Sequence, residues 1–324
     1  MKKIVILDGY TINPGDLSWS ALEALGQPVI FDQTPDHQVD ERISDASIVL
    51  SSKILFDQKR MARHPQLEYI GSLSTGYNLF DLDAARAQGI TITNIPEYAT
   101  MATAQMTLAL ILELTNHVGE HDQRVHEGDW LKTPHFCFWT KPLMELSGKT
   151  IGLFGYGRIA RKVAHLCHAL GMHVLATSRS RNSNEVYNDP DGFTLTFVDK
   201  DTLFSGSDFL SFHCPLTEET HHMVNAESIR QMKTGVYLIN TSRGQVFDER
   251  AVSEALKSNK IAGVAVDVLS SEPPSAKNPL LHAPRCIITP HIAWAPMETR
   301  KRLIDTAVSN LSEYLSGNPK NVVS

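Results

Sequence analysis

Cysteine is scarce in this 324-residue chain, and the four residues present, Cys137, Cys167, Cys214 and Cys286, share no CxxC spacing. That excludes a zinc ribbon or a disulfide framework and points to a reducing cytoplasm. Positive charge is in deficit as well: 30 Lys and Arg face 36 Asp and Glu, a net charge of -6. With a pI near 6.1 and no basic run, the chain is not expected to bind nucleic acid or an anionic membrane. Long apolar runs are missing too. The start, Lys2-Lys3-Ile4-Val5-Ile6-Leu7-Asp8, leaves apolar character after four residues and reads as a first strand, not as a signal peptide or a membrane span. Internal repeats and low-complexity segments are absent. Histidine is plentiful, and His117 with His121 has the i, i+4 spacing of a helical metal pair. Without an HExxH pattern or a cysteine partner, a solvated helix end is the reading, and no metal site is expected.

What remains is an ordinary globular composition, 42% hydrophobic and 20% charged, long enough for two domains. Short Val- and Ile-rich runs alternate with helical stretches. Ile4–Leu7, Ser47–Leu50, Tyr69–Leu73 and Ile90–Thr93 read as strands, with helices at Asp16–Gly26 and Asp81–Gly89. Ala104–Leu114 reads as an apolar helix buried on more than one side. Asp122 to Lys149, dotted with Trp130, Phe136, Phe138 and Trp139, reads as an irregular excursion toward a partner subunit. A second alternating block runs from Lys149 to about Thr289, and Pro296–Gly317 reads as one long helix. Alternation of this kind predicts an α/β chain with parallel sheets.

The most specific local feature is Gly155-Tyr156-Gly157-Arg158-Ile159-Ala160, directly after the apolar run Ile151–Phe154. Strand, glycine turn and helix in that order predict a dinucleotide site: Gly155 for the tight turn, Gly157 for close approach to the pyrophosphate, Arg158 and Ile159 opening the helix whose N-terminus favours phosphate. The next strand, His173–Thr177, is followed by Ser178-Arg179-Ser180-Arg181, where an NAD site would carry an acidic residue for the ribose. A serine and two guanidinium forks suit a 2′-phosphate instead, so NADP(H) is favoured, with NAD(H) the alternative. Three strand ends carry further chemistry: Asn240-Thr241-Ser242-Arg243-Gly244, Asp267 with Glu272 in the loop beyond, and Thr289-Pro290-His291. Singly these are ordinary surface or joint residues. Together they suit a 2-oxo acid, with Arg243 clamping the carboxylate, His291 donating the proton, and Glu272 favouring the imidazolium form.

In that order, together with His213-Cys214-Pro215-Leu216-Thr217 and Glu272-Pro273, the motifs resemble the D-isomer-specific 2-hydroxyacid dehydrogenases over nearly the whole chain. The opening Leu7–Trp19, the Phe136–Trp139 stretch and Pro290–Trp294 look most like the glycerate dehydrogenases among them. The resemblance implies two doubly wound parallel-sheet domains with the active site in their cleft: a flavodoxin-like substrate domain, 1–98 with 292–324, into which a Rossmann cofactor domain, 99–291, is inserted. It implies a homodimer and reversible hydride transfer between a nicotinamide cofactor and a small D-2-hydroxy acid, chiefly hydroxypyruvate or glyoxylate reduction. A D-lactate or other D-2-hydroxyacid dehydrogenase is the alternative, and an NAD(H)-sensing corepressor the distant one. By the same resemblance Cys214, Pro215, Thr241, Ser242 and Asp267 join the cofactor site, and Ser74, Thr75 and Gly76 form a substrate-carboxylate loop. Lys53 and Trp139 are candidate walls of the substrate pocket, Trp139 equally a core or dimer residue. Two positions depart from the family pattern: Ser178 stands for the usual aspartate, and Ala102 for a serine.

Overall fold

A computed structural model describes residues 2–324, which divide into two compact units: residues 2–99 with 294–324, and 100–293. In the first unit the strands are β1 (Lys3–Ile6), β2 (Gln27–Ile30), β3 (Ile48–Ser51), β4 (Tyr69–Ser72) and β5 (Thr91–Thr93). They alternate with helices α1 (Ser20–Glu23), α2 (Asp36–Arg42), α3 (Gln58–Arg63) and α4 (Leu82–Gln88). All pair in parallel in the order β2-β1-β3-β4-β5, so the winding reverses between β1 and β3. Strand residues point alternately to the two faces. Val5, Leu7, Val49 and Ile70 therefore fill one core. Ile4, Ile6, Ile48 and Leu50 fill the other, against Leu303, Ile304, Ala307 and Leu311 of the returning C-terminal helix.

The second unit opens with α5 (Thr100–Asn116), α6 (Val118–His126) and α7 (Asp129–Lys132). Its strands are β6 (Thr150–Phe154), β7 (His173–Thr177), β8 (Val186–Asp189), β9 (Phe193–Phe197), β10 (Phe209–Phe212), β11 (Val236–Asn240), β12 (Ile261–Val266) and β13 (Cys286–Ile288). Helices α8 (Arg158–Ala169), α9 (Lys200–Gly206), α10 (Ala226–Gln231) and α11 (Glu249–Lys257) connect them, and α12 (Met297–Leu315) is the C-terminal helix of the first unit. The order is β13-β12-β11-β10-β6-β7-β9-β8, parallel except for the β8–β9 hairpin at the edge. This is a doubly wound sheet whose switch point lies between β6 and β10. Apolar residues of β6, β7, β10 and β11 meet α5 through Ala104, Leu110, Ile111 and Leu114, and α8 through Ala160, Val163, Ala164 and Cys167. Each large apolar side chain so buried stabilises the unit by about 1.5–3 kcal/mol.

Several elements differ from the sequence expectation. The helix expected over Asp16–Gly26 shrinks to α1, because Asn13 Oδ1 accepts from Gly15 N and Leu17 N and Arg300 takes both oxygens of Asp16, holding that stretch as a loop. β2 went unread because Pro28 sits in a half-exposed edge strand. Helices α6 and α7 replace part of the expected irregular excursion, and the β8–β9 hairpin was not foreseen. Helix α5, present as expected, buries Thr103, Ala104, Thr107, Leu110, Ile111 and Leu114, while Met101, Gln105 and Ala109 are exposed in the single chain. No helix among the described residues is long and apolar enough to cross a membrane.

Candidate active site

The glycine turn follows β6 at the switch point. Gly155 has φ +87°, and a Cβ there would lie 2.9 Å from the carbonyl oxygen of His213, so only glycine fits. Its N–H donates to Thr177 Oγ1 at 3.1 Å. Gly157 is the extended N-cap of α8 with no side-chain cap, and Arg158 and Ile159 form the first turn. An uncapped helix start at the end of a parallel strand presents its amides to an anion. Ala160, fully buried, packs the helix on the sheet.

A cavity of about 1010 Å³ extends from this turn, and it gathers Gly155, Gly157, Ser178, Arg179, Arg181, Cys214 and Pro215 on one lining. Arg158, Ile159, Thr241, Ser242 and Asp267 are not part of that lining. Burial pushes the His213 imidazole down to about 4 and the Cys214 thiol up to about 11, so both are neutral near pH 7. Ser178 Oγ lies 3.1 Å from Ser180 Oγ and accepts from Ser180 N, which folds the Ser178–Arg181 turn. Arg181 is already engaged. Its Nη1 bonds Glu185 Oε1 at 3.0 Å and its guanidinium lies 4.6 Å over the Tyr187 ring. Lys200, which sequence reasoning did not single out, lines the same cavity. So does Tyr156, whose hydroxyl donates to the buried Asp189 at 2.9 Å while Arg161 Nε bonds both Asp189 oxygens. Burial opposes charge on Asp189, yet the Asp191 N–H, Arg161 and Tyr156 together hold its carboxyl below the ordinary range.

At the end of β11, Asn240 is fully buried. Its Oδ1 accepts from Ser242 N and Oγ, and its Nδ2 donates to the Arg243 carbonyl at 2.9 Å. The corner so folded leaves Arg243 exposed, with Nη1 resting on the Ser242 carbonyl. Thr241 Oγ1 bonds Thr107 Oγ1 of α5 at 3.0 Å. After β12, Asp267 is 1% exposed and its carboxylate accepts from Thr289 Oγ1, Ile292 N and Ala293 N. Asp267, which the resemblance assigns to the cofactor site, thereby also holds the turn that carries His291. That turn puts His291 at φ +55°, its N–H bonded to the Asp267 carbonyl. The imidazole Nδ1 then lies 2.6 Å from Glu272 Oε2, while Glu272 Oε1 accepts from Leu269 N at 3.0 Å. A carboxylate on Nδ1 fixes the orientation of the ring and leaves Nε2 for an incoming group.

The candidate substrate residues of the first unit follow its own switch point. In the loop after β4, Ser74 O accepts from Ile95 N, Thr75 O from Asn94 Nδ2, and Gly76 O from Ser74 Oγ. No acceptor among the described residues takes the N–H groups of Thr75 and Gly76, an arrangement suited to an anion. Lys53 is exposed, and its backbone N–H donates to Asp8 Oδ2 at 2.7 Å. Asp8 is a residue the sequence reading passed over: its Oδ1 is buried without a partner among the described residues. In the second unit Trp139 is 64% exposed, so it is not a core residue of the chain. The His117–His121 pair is internally bonded, with His121 Nδ1 2.8 Å from the His117 carbonyl and Nε2 accepting from Thr140 N.

Residues 108–293 match the family model of the D-isomer-specific 2-hydroxyacid dehydrogenase NAD-binding domain. The chain is 46% identical to a hydroxypyruvate reductase of Blautia hydrogenotrophica, covering 99% of both chains. It is 36% identical to a glycerate dehydrogenase of Methylorubrum extorquens, over 90% of this chain and 89% of that one. Among solved structures it is similar to an NADPH-dependent glyoxylate/hydroxypyruvate reductase of Sinorhizobium meliloti in complex with NADP and malonate. That likeness has TM-score 0.82 and 28% identity, covering 100% of this chain and 97% of the other.

Proposed function

The chain belongs to the D-isomer-specific 2-hydroxyacid dehydrogenases, a family of nicotinamide-dependent oxidoreductases, and from that premise we propose that it reduces hydroxypyruvate and glyoxylate and reversibly oxidises D-glycerate. The observation that carries the reading is the 2.6 Å contact of Glu272 with His291, in a chain nearly half identical to a hydroxypyruvate reductase along its whole length. The glycine turn, crowded against the His213 carbonyl and opening on the large cavity, fits a dinucleotide. When bound, that cofactor supplies or accepts the hydride.

The chain's own residues do the rest. Arg243, exposed at the carboxyl end of β11, pairs with the substrate carboxylate and polarises the 2-oxo group. His291 gives its Nε2 proton to the carbonyl oxygen in reduction and takes it back in oxidation, with Glu272 stabilising the imidazolium. The free N–H groups of Thr75 and Gly76 are assigned to a substrate carboxylate, with Lys53 and Trp139 as pocket residues. On the cofactor side, Ser178, Arg179 and Lys200 are assigned to a 2′-phosphate, which makes NADP(H) the preferred dinucleotide. Arg181, held by Glu185 and Tyr187, serves as an adenine platform more than as a phosphate fork. Cys214, Pro215, Thr241, Ser242 and Asp267 complete the cofactor's surroundings, Asp267 only through the lone pairs its three donors leave free. The exposed apolar side chains Leu131, Phe136, Trp139 and Leu143 support a homodimer.

Initial rates with NADPH and NADH against hydroxypyruvate, glyoxylate, pyruvate and 2-oxoisocaproate test the reading. Hydroxypyruvate and glyoxylate with NADPH should give the highest kcat/KM. Arg243→Ala should lower kcat/KM for the best acid by about 100-fold or more, because a charge-assisted pair is lost in both the bound and the transition state. Ordinary kinetics in that variant would remove Arg243 from the mechanism, and a large NADH preference would remove the 2′-phosphate assignment.

A further inference from the structure

Glu249 stands in the first turn of α11, away from the groups assigned to chemistry, yet its carboxylate is fully committed to the loop that carries Glu272. Its Oε1 accepts from Ser270 N at 2.7 Å. Its Oε2 accepts from Ser270 Oγ at 2.7 Å and from Asn278 Nδ2 at 2.9 Å. On the adjoining peptide unit of the same residue, Gln245 Nε2 donates to the Ser270 carbonyl at 2.9 Å. Every polar group of Ser270 is thus taken by one of two side chains, both belonging to the segment that follows Arg243.

The clamp is tight at the backbone as well. A Cβ on Gly244 would come within 2.0 Å of the Leu269 carbonyl carbon and 2.4 Å of Ser270 N, so the Arg243–Gly244 corner lies directly against the Leu269–Ser270 backbone. Two residues further on, Glu272 bonds Leu269 N with one oxygen and His291 Nδ1 with the other. Glu272 therefore rests on a backbone segment whose position is set by Glu249, Gln245 and Gly244. A side chain on a loop tip is ordinarily the mobile partner of an ion pair, and a charge-assisted bond of 2.6 Å survives only while that loop stays in place.

We propose that Glu249 is a positioning residue for the Glu272–His291 pair: by clamping Ser270 from α11 it holds the Glu272 carboxylate on His291 Nδ1, and so keeps that pair formed for proton transfer at Nε2. The buried Asp267 carboxylate lies beneath the His291 turn, and Arg243 stands on the adjoining corner. On the far side of the clamp is the Cys286 thiol of β13, within electrostatic reach of Glu249 and pushed up to about 12, so it stays neutral throughout the working range. The inference rests on the proposed proton-donor role of His291, and its test is built to fail separately from that role.

The experiment uses the full-length enzyme as wild type, Glu249→Gln, Ser270→Ala and Glu272→Gln, with two readouts. One is the pH profile of kcat/KM for hydroxypyruvate reduction by NADPH. The other is the ring-proton titration of His291 by NMR without substrate, its resonance assigned from His291→Gln. Glu249→Gln turns an amide NH2 toward donors and loosens the loop. The alkaline limb of the reduction profile and the NMR midpoint of His291 should then both move to lower pH by about half a unit to one unit, part of the one to three units a removed carboxylate produces. Ser270→Ala keeps the charge of Glu249 and deletes one tether, so a smaller shift in the same direction identifies positioning. A shift in Glu249→Gln with none in Ser270→Ala would make the effect one of charge through space and overturn the proposal. An unmoved midpoint in both variants, alongside a clear shift in Glu272→Gln, would overturn it as well. If no 2-oxo acid is reduced by the wild type, the functional reading fails, while the NMR titration still decides whether Glu249 controls the pair.

Discussion

Single residues gain or lose meaning with their surroundings, and His213 shows how. In the sequence it is one letter of a motif; in the structure its Nε2 lies 2.9 Å from the fully buried Ser211 hydroxyl, beside the glycine turn, and burial brings its proton affinity down to about 4. An unfolded histidine takes its proton near pH 6.5. The unfolded chain therefore binds a proton that the folded chain refuses between those two values, and the folded state loses stability as pH falls from 6.5 toward 4. The loss attributable to this one ring is at most about 3 kcal/mol. Calorimetric Tm values at pH 7, 5.5 and 4.5 should fall more steeply for wild type than for His213→Gln; parallel curves would mean that the ring is charged or solvated in the folded protein. Asp267 and Asp8 make the complementary point. Their types were visible in the sequence, but a buried carboxylate's work is decided by which N–H groups surround it, and those come from residues 25 and 44 positions away.

Elements were legible where pattern and burial agree. Strands such as β6 and β10 are largely apolar because both faces are covered, and the glycine turn after β6 is readable because Gly155 must adopt φ +87°. The edge strand β8 was not legible, since Val186–Asp189 is half solvated and reads as a loop, whereas the Phe193–Phe197 alternation of β9 carries a strand signal that went unread. Only the structure shows that Asp189 of β8 is tied to Tyr156 of the glycine turn and to Arg161 of α8. The two glycines of the turn should behave differently. Gly155→Ala forces a Cβ to within 2.9 Å of backbone at a positive φ, and should cost about 1–3 kcal/mol of stability together with cofactor binding. At Gly157 a Cβ meets nothing within 4 Å, so Gly157→Ala should keep the wild-type Tm while weakening NADPH by about tenfold or more, as the methyl intrudes on the pyrophosphate. Thermal melts and NADPH fluorescence titrations separate these outcomes; equal Tm losses in both variants would contradict the different crowding at the two positions.

At the scale of the whole molecule, the exposed apolar side chains of one stretch stand out: Leu131 is 92% exposed, Phe136 89% and Trp139 64%. A monomer would leave these side chains and the outward face of α5 in water, which the hydrophobic effect opposes. Light scattering should give about twice the 36.0 kDa chain mass for wild type, and the double change Leu131→Glu and Phe136→Glu should shift the population toward one chain. A monomeric wild type would refute the dimer.

The sequence by itself determined the family, the α/β plan and the glycine turn, and it offered Arg243, Glu272 and His291 as the candidates for chemistry. These rest on local matters: strand period, the conformational demand of a turn, and side-chain chemistry at strand ends. Tertiary structure alone decided the 2.6 Å geometry of the Glu272–His291 contact, that Asp267 carries the His291 turn, and that Glu249 clamps Ser270 from α11. A hydrogen bond between distant residues depends on the packing of the elements that bear them, and no short stretch of sequence contains both.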